Sequence, residues 1–176
     1  MTLQAITEAE DFVVEEDGET TPKTNVSNGK PKTHSKDQYE YLARLTYLIV
    51  DDSRFNRKIV RDALGLFGVR RIIEAKDGVE ALKVLARDHV DLVLTDYEMP
   101  LVTGVDLTRM IRRSKEVRKA DVPIIIISGF SEEYRIQEAI AAGIEEYVMK
   151  PFAPDKLLCH VVRALGLAHP AGLEGC

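Results

Sequence analysis

Two aspartates stand side by side at positions 51 and 52, directly after the apolar run TYLIV (46–50). Neighbouring carboxylates repel, and once partly desolvated they either take up protons or find a cation. A local use is also open, because Asp52 or Ser53 suits the N-cap of a following helix. Three more polar residues occupy comparable places: Asp96 after DLVLT, Ser128 after VPIIII and Lys150 after EEYVM. Mg²⁺ prefers oxygen ligands and is commonly held by one or two carboxylates together with water and substrate phosphate. With such a cation bound, one carboxylate can attack phosphorus to give an aspartyl phosphate, while metal and ammonium neutralise charge on the transferring group. Asp96 is the candidate nucleophile, Asp51 and Asp52 the candidate metal holders, and Lys150 the counter-charge. The Ser128 hydroxyl is placed to sense the product, gaining a phosphoryl oxygen as partner only after transfer.

Those residues need a scaffold that brings distant strand ends together. From about residue 44 the chain alternates strand and helix signals, with apolar runs at 46–50, 70–75, 91–95, 122–128 and within 145–150. Between them, helical spacing groups Phe55, Ile59, Ala63, Leu64 and Phe67, then Val79, Leu82 and Leu85, then Val105, Leu107, Met110 and Ile111. SEEYRIQEAIAAG reads as a fourth helix with Ser131 as N-cap and Gly143 as terminator, and PDKLLCHVVRALGLA as a fifth with Leu157, Leu158, Val161, Val162 and Leu165 inward. Five βα units in succession predict a parallel α/β sheet with helices on both faces and right-handed crossovers. Ligands of such sheets sit beyond the carboxyl ends of the strands. All the polar residues named above belong to that rim.

Bulk composition sets the context. The 176 residues are 45% hydrophobic and 30% charged, with a net charge of −5 and no apolar stretch near the ~20 residues of a membrane span. Neither membrane insertion nor direct DNA binding is expected, and the acidic first twenty residues point away from a secretory leader and to the cytoplasm. Residues 1–40 hold nine acids and four lysines, so the net charge resides there. The stretch DGETTPKTNVSNGKPKTHSKDQ (17–38) has almost no large apolar side chains, which predicts a disordered N-terminal arm over 1–43. Residues 169–176 read as a tail. Cys159 reads as core filler and Cys176 as a terminal thiol, without metal spacing or a disulfide framework.

The motifs VDD (50–52), DLVLTDYEMP (91–100), IIIISG (124–129) and YVMKPF (147–152) together resemble the receiver domain of two-component response regulators, over roughly residues 44–168. The separations Asp52–Asp96, Asp96–Ser128 and Ser128–Lys150 are 44, 32 and 22 residues, in keeping with that family. The resemblance implies a flavodoxin-like (βα)5 doubly wound sheet of order 2-1-3-4-5. It further implies Mg²⁺ held by Asp51, Asp52, Asp96 and the backbone carbonyl of Glu98, with phosphoryl passing from a sensor histidine kinase to Asp96. Lys150 and Ser128 assist, Ser128 and Tyr147 switch, and the Lys150–Pro151 bond is cis. Glu98 and Phe130 vary from the commonest pattern and are expected to modulate dephosphorylation and access.

Only eight residues follow residue 168, so no DNA-binding, catalytic or transmembrane module is expected there. Output is expected through a downstream protein bound on the face of the fourth strand, fourth helix and fifth strand, as in a stand-alone chemotaxis-like receiver. The protein is thus expected to be a signalling switch that catalyses only its own phosphorylation and dephosphorylation. The alternatives are a phosphorelay intermediate that hands phosphoryl to a histidine phosphotransfer protein, and a scaffold acting through its N-terminal arm. A phosphatase of free substrates ranks last, for want of a cap or substrate pocket.

Overall fold

A run such as IIIIS is apolar throughout, so both of its faces need cover, and a parallel sheet with helices on each side supplies it. The computed structural model, which describes residues 35–168, has that architecture. Its strands are β1 (Thr46–Val50), β2 (Arg71–Ala75), β3 (Leu92–Asp96), β4 (Ile124–Ser128) and β5 (Glu146–Met149). They pair in parallel in the order β2-β1-β3-β4-β5, the order that the resemblance implied. Among the described residues six helices accompany them: α1 (Ser35–Arg44), α2 (Arg54–Gly65), α3 (Gly78–Arg87), α4 (Gly104–Arg113), α5 (Glu133–Ala142) and α6 (Pro154–Ala164). Because α1 precedes the sheet, the helix expected fourth is α5. No helix among the described residues is long and apolar enough to cross a membrane.

Strand alternation divides the core. Tyr47, Ile49, Leu92, Leu94, Ile125 and Ile127 join α1, α2 and α6 on one side. Leu48, Val50, Val93 and Ile124 join α3 and α4 on the other, where Ile126 also meets Val105, Ala139 and Ala142. Local signals fix the helix ends. Ser53, Asp77 and Thr103 accept hydrogen bonds from the backbone N–H groups of Asn56, Glu80 and Asp106, and Gly143, at φ +98°, ends α5 in the left-handed conformation. Ser53 is thus the cap that was left open between it and Asp52. At α5 the cap position belongs to Glu132, without a side-chain bond, and not to Ser131.

Several helical stripes differ from expectation. In α2 the buried residues are Val60, Ala63 and Leu64, while Phe55 and Ile59 are 71% and 41% exposed. In α3, Ala81, Val84 and Leu85 are buried and Val79 faces out; in α4, Met110 does the same. Each of these helices carries apolar residues on two faces, and the sheet selects one. Cys159 is buried as a core residue, as expected, and Cys176 lies outside the described residues.

The expected arm over 1–43 also needs correction at its end, because residues 35–44 form α1. Residues 1–34 and the tail 169–176 lie outside the described residues. Helix α1 belongs to the fold: Leu42 is fully buried, its carbonyl accepts the Tyr47 hydroxyl at 3.1 Å, and Tyr39 stacks on Phe67 with centroids 6.3 Å apart. Gln38 donates to the Ala168 carbonyl, tying the helix to the chain segment after α6. We therefore expect Leu42→Ala to cost about 2–5 kcal/mol in urea denaturation. Tyr41→Ala, on the exposed side of the same turn, is the control and should change stability by less than ~0.5 kcal/mol.

Candidate functional site

Strand register delivers the polar residues to one rim. Val50 pairs with Thr95, so Asp51 comes level with Asp96; Asp96 pairs with Ile127, so Ser128 lies one step beyond. Ser128 in turn pairs with Met149, which leaves Lys150 as the next residue. At that rim the Lys150 ammonium donates to Asp96 Oδ1 at 2.5 Å and to Asp51 Oδ2 at 3.3 Å. The aspartate side chains are only 13% and 5% exposed. Their other oxygens are also satisfied. Asp51 Oδ1 accepts from the Ser53 N–H at 2.8 Å and the Asn56 amide at 3.2 Å, and Asp96 Oδ2 accepts from the Glu98 N–H at 2.9 Å.

Two carboxylates facing one ammonium leave the pocket with a net negative charge. Burial accordingly pushes the Asp96 carboxyl above its ordinary pKa; Lys150 opposes that rise, Asp51 reinforces it, and the Glu98 N–H opposes it. Protein oxygens and a surplus negative charge suit a hard cation. The expected convergence of three carboxylates, however, is not found. Asp52 is exposed, and among the described residues no three acidic, histidine or cysteine side chains group closely enough to hold a metal. Asp51 and Asp96 are the side chains in position, with the Glu98 backbone next to them in sequence and bonding.

The loop after Asp96 is held by a close approach. A Cβ on Gly104 would lie 2.2 Å from the Asp96 carbonyl oxygen, so this position takes glycine for reasons of space. The Gly104 N–H also donates to Tyr97 O at 2.9 Å. On the other flank, Arg57 donates to the Asp51 carbonyl at 2.7 Å and the Asp52 carbonyl at 3.4 Å while pairing with Glu74 at 2.9 Å. Arg57 thus holds the backbone of the acidic doublet. The sequence reading missed it, because its partners lie on a loop and on a neighbouring strand.

Ser128 is fully buried, and its hydroxyl already accepts the Phe130 N–H at 3.0 Å. Tyr147 is half-buried and donates to the Phe130 carbonyl at 3.0 Å. Burial raises the Tyr147 pKa, and hydrogen bonding with Ser128 works against that rise. The Ser128 oxygen is therefore already engaged with the Phe130 backbone. Phe130 packs edge-on against Tyr97, with ring centroids 6.1 Å apart, and carries the Arg135 guanidinium 4.0 Å above its ring. The Glu98 side chain does not stand free over Asp96; its Oε1 accepts from Arg135 Nη1 at 3.1 Å. Arg135 is a second residue that sequence reading missed. The Lys150–Pro151 bond is cis, as the resemblance implied.

A family model described as the response regulator receiver domain matches residues 47–162. The chain is 32% identical over 126 residues to a Campylobacter jejuni chemotaxis protein CheY homolog, covering 71% of this chain and 95% of that protein. Among solved structures, the chemotaxis response regulator CheY4 of Vibrio cholerae superposes with a TM-score of 0.62 at 30% identity, covering 69% of this chain and 98% of that one. The receiver domain of a Pseudomonas aeruginosa sensor histidine kinase, described with a magnesium ion coordinated in its active-site cleft, gives 0.61 at 28% identity over 69% of this chain and 98% of that one.

The Asp96 environment makes a stability prediction. A carboxyl whose folded pKa lies above its unfolded value disfavours the fold once pH exceeds that raised pKa, and is neutral to it below the unfolded value near 3.8. In metal-free buffer, Asp96→Asn should therefore have a higher urea midpoint than the parent at pH 7. That advantage should shrink as pH falls through the raised pKa, which urea titrations across pH 3–7 will follow.

Proposed function

The chain belongs to the response regulator receiver domain family, and from that premise we propose that it is a phosphorylation-activated switch whose phosphoacceptor is Asp96. The observation that carries this reading is the shared ammonium, with Lys150 between the buried Asp51 and the partly buried Asp96 at the carboxyl edge of the sheet. An Asp96 oxygen attacks the phosphorus of a histidine kinase phosphohistidine; the new O–P bond forms as the N–P bond breaks, and the imidazole departs. Lys150, already on Asp96 Oδ1, neutralises charge on the transferring oxygens. Asp51, Asp96 and the Glu98 carbonyl would hold magnesium, with Asp52 at the exposed rim. The ion, when bound, supplies further positive charge to the phosphoryl oxygens. The magnesium described for the Pseudomonas receiver supports the same cation here.

Switching follows from what the phosphoryl group would compete for. A phosphoryl oxygen draws the Ser128 hydroxyl away from its present partners, and Tyr147 then loses a neighbour that helps to hold it. The face changed in this way is β4, α5 and β5, and it is where the downstream protein binds. In this reading the protein works in the cytoplasm as a stand-alone receiver; the chemotaxis proteins among its relatives support that mode.

The test is labelling by acetyl phosphate. With Mg²⁺, the full chain should acquire acid-stable, base-labile label on Asp96, and chelation should abolish it. Asp96→Asn should take up less than about a hundredth of the parent's label, as expected for loss of a nucleophile. Label that persists in Asp96→Asn would reject the assignment.

A further inference from the structure

Arg135 contributes no group that phosphoryl transfer requires, yet it joins the phosphoacceptor loop to α5. Its guanidinium lies 4.0 Å from the Phe130 ring centroid and 5.2 Å from that of Tyr97, its Nε donates to the Tyr134 hydroxyl at 3.0 Å, and its Nη1 donates to Glu98 Oε1 at 3.1 Å. The side chain is 21% exposed, so aromatic rings hold the cation where the carboxylate finds it. At the other end of the link, the Glu98 N–H is bonded to Asp96 Oδ2. Glu98 therefore has its backbone on the phosphoacceptor and its carboxylate on α5.

We infer that Arg135 is a positioning residue that pins the Glu98 carboxylate to α5 and thereby lengthens the life of the phosphoryl group on Asp96. This rests on the reading of Asp96 as phosphoacceptor. Hydrolysis needs water to attack phosphorus as the P–O bond to Asp96 breaks, with a proton of that water passing to a base and inorganic phosphate leaving. Two residues from the phosphoacceptor, a released Glu98 carboxylate is within reach of that water and can accept its proton. Paired with Arg135, its charge is neutralised and one oxygen is occupied, so it is a poor acceptor. Phe130 makes the link responsive, because its backbone is bonded to both Ser128 and Tyr147 while its ring supports the guanidinium.

The experiment follows loss of label from full-length protein phosphorylated with acetyl phosphate and Mg²⁺. The variants are Arg135→Ala, Arg135→Met, Arg135→Lys, Glu98→Gln and the double variant Arg135→Ala with Glu98→Gln, each with its initial labelling measured. Arg135→Ala and Arg135→Met should both lose phosphoryl about fivefold faster than the parent, the scale of a partly exposed ion pair. Methionine keeps an apolar stem over Phe130, so agreement between the two separates charge from packing. Arg135→Lys, which keeps the charge, should restore most of the lifetime. In the Glu98→Gln background, Arg135→Ala should change the rate less than twofold, the non-additivity expected of two residues acting through one contact. An unchanged or longer lifetime in Arg135→Ala, or an acceleration that survives Glu98→Gln, would overturn the inference. If no protein, the parent included, takes up label on Asp96, the phosphoacceptor reading falls and this inference with it.

Discussion

One ammonium between two nearly buried carboxylates sets the terms for the rest of this protein. Removing a carboxylate from water costs several kcal/mol unless charge and hydrogen bonds compensate. Here the compensation is incomplete by design of the fold: Lys150 supplies a single positive charge, and the Ser53 and Glu98 N–H groups with the Asn56 amide supply dipoles. Burial raises the Asp96 pKa and Asp51 adds to that rise, while the residual negative charge leaves the pocket favouring a cation. The same charge makes the rim a locally unstable part of the fold. The apolar mass beneath the rim is what allows the chain to tolerate it, since every residue of β4 is buried and helices cover both faces of the sheet.

Holding that arrangement depends on backbone placement more than on side-chain reach. Parallel register puts Asp51 level with Asp96, and side chains of a few ångströms then suffice to meet Lys150. Two devices keep the loops from drifting. Gly104 lets the first turn of α4 approach the Asp96 carbonyl within a distance that a Cβ would forbid, so the Asp96 backbone is pressed against a helix. Arg57 reaches from α2 to the carbonyls of the acidic doublet while its other edge is fixed by Glu74. A shift of either loop would separate the carboxylates from the ammonium, because neither aspartate has a long side chain with which to follow.

Much of this was legible in the sequence, for a physical reason. Strand ends are read from where an apolar run stops, and the residue type at that point is the chemistry; Asp51, Asp96, Ser128 and Lys150 are therefore visible without coordinates. What was not legible falls into two kinds. Short helices with apolar residues on two faces leave the buried stripe undetermined, so Phe55 and Ile59 looked as suitable for the core as Val60 and Leu64. Helix α1 was hidden similarly, with Leu42 and Tyr39 embedded in a polar, charged stretch whose composition suggested an arm. The second kind is long-range pairing by arginine. Arg57 with Glu74, and Arg135 with Glu98, join residues 17 and 37 positions apart, and no local pattern marks either partner. Even the placement of Glu98 near Asp96, which sequence did reveal, said nothing of the direction its carboxylate takes.

That direction matters because the rim and the α5 face share residues. The Phe130 backbone binds Ser128 through its N–H and Tyr147 through its carbonyl, while its ring supports Arg135, which in turn holds Glu98. The contacts in this chain are each modest, about 1 kcal/mol for a neutral hydrogen bond in water. A phosphoryl group that captures the Ser128 hydroxyl need only exceed one or two of them to shift the balance between arrangements. Linkage makes the effect mutual: a protein that binds the β4–α5–β5 face and prefers one arrangement of Phe130 must change the stability of the phosphoryl state by the same factor. In the proposed reading, the partner's surface and the phosphoryl site are then coupled through a single aromatic residue, and the large apolar side chain at position 130 is what gives that coupling a rigid element.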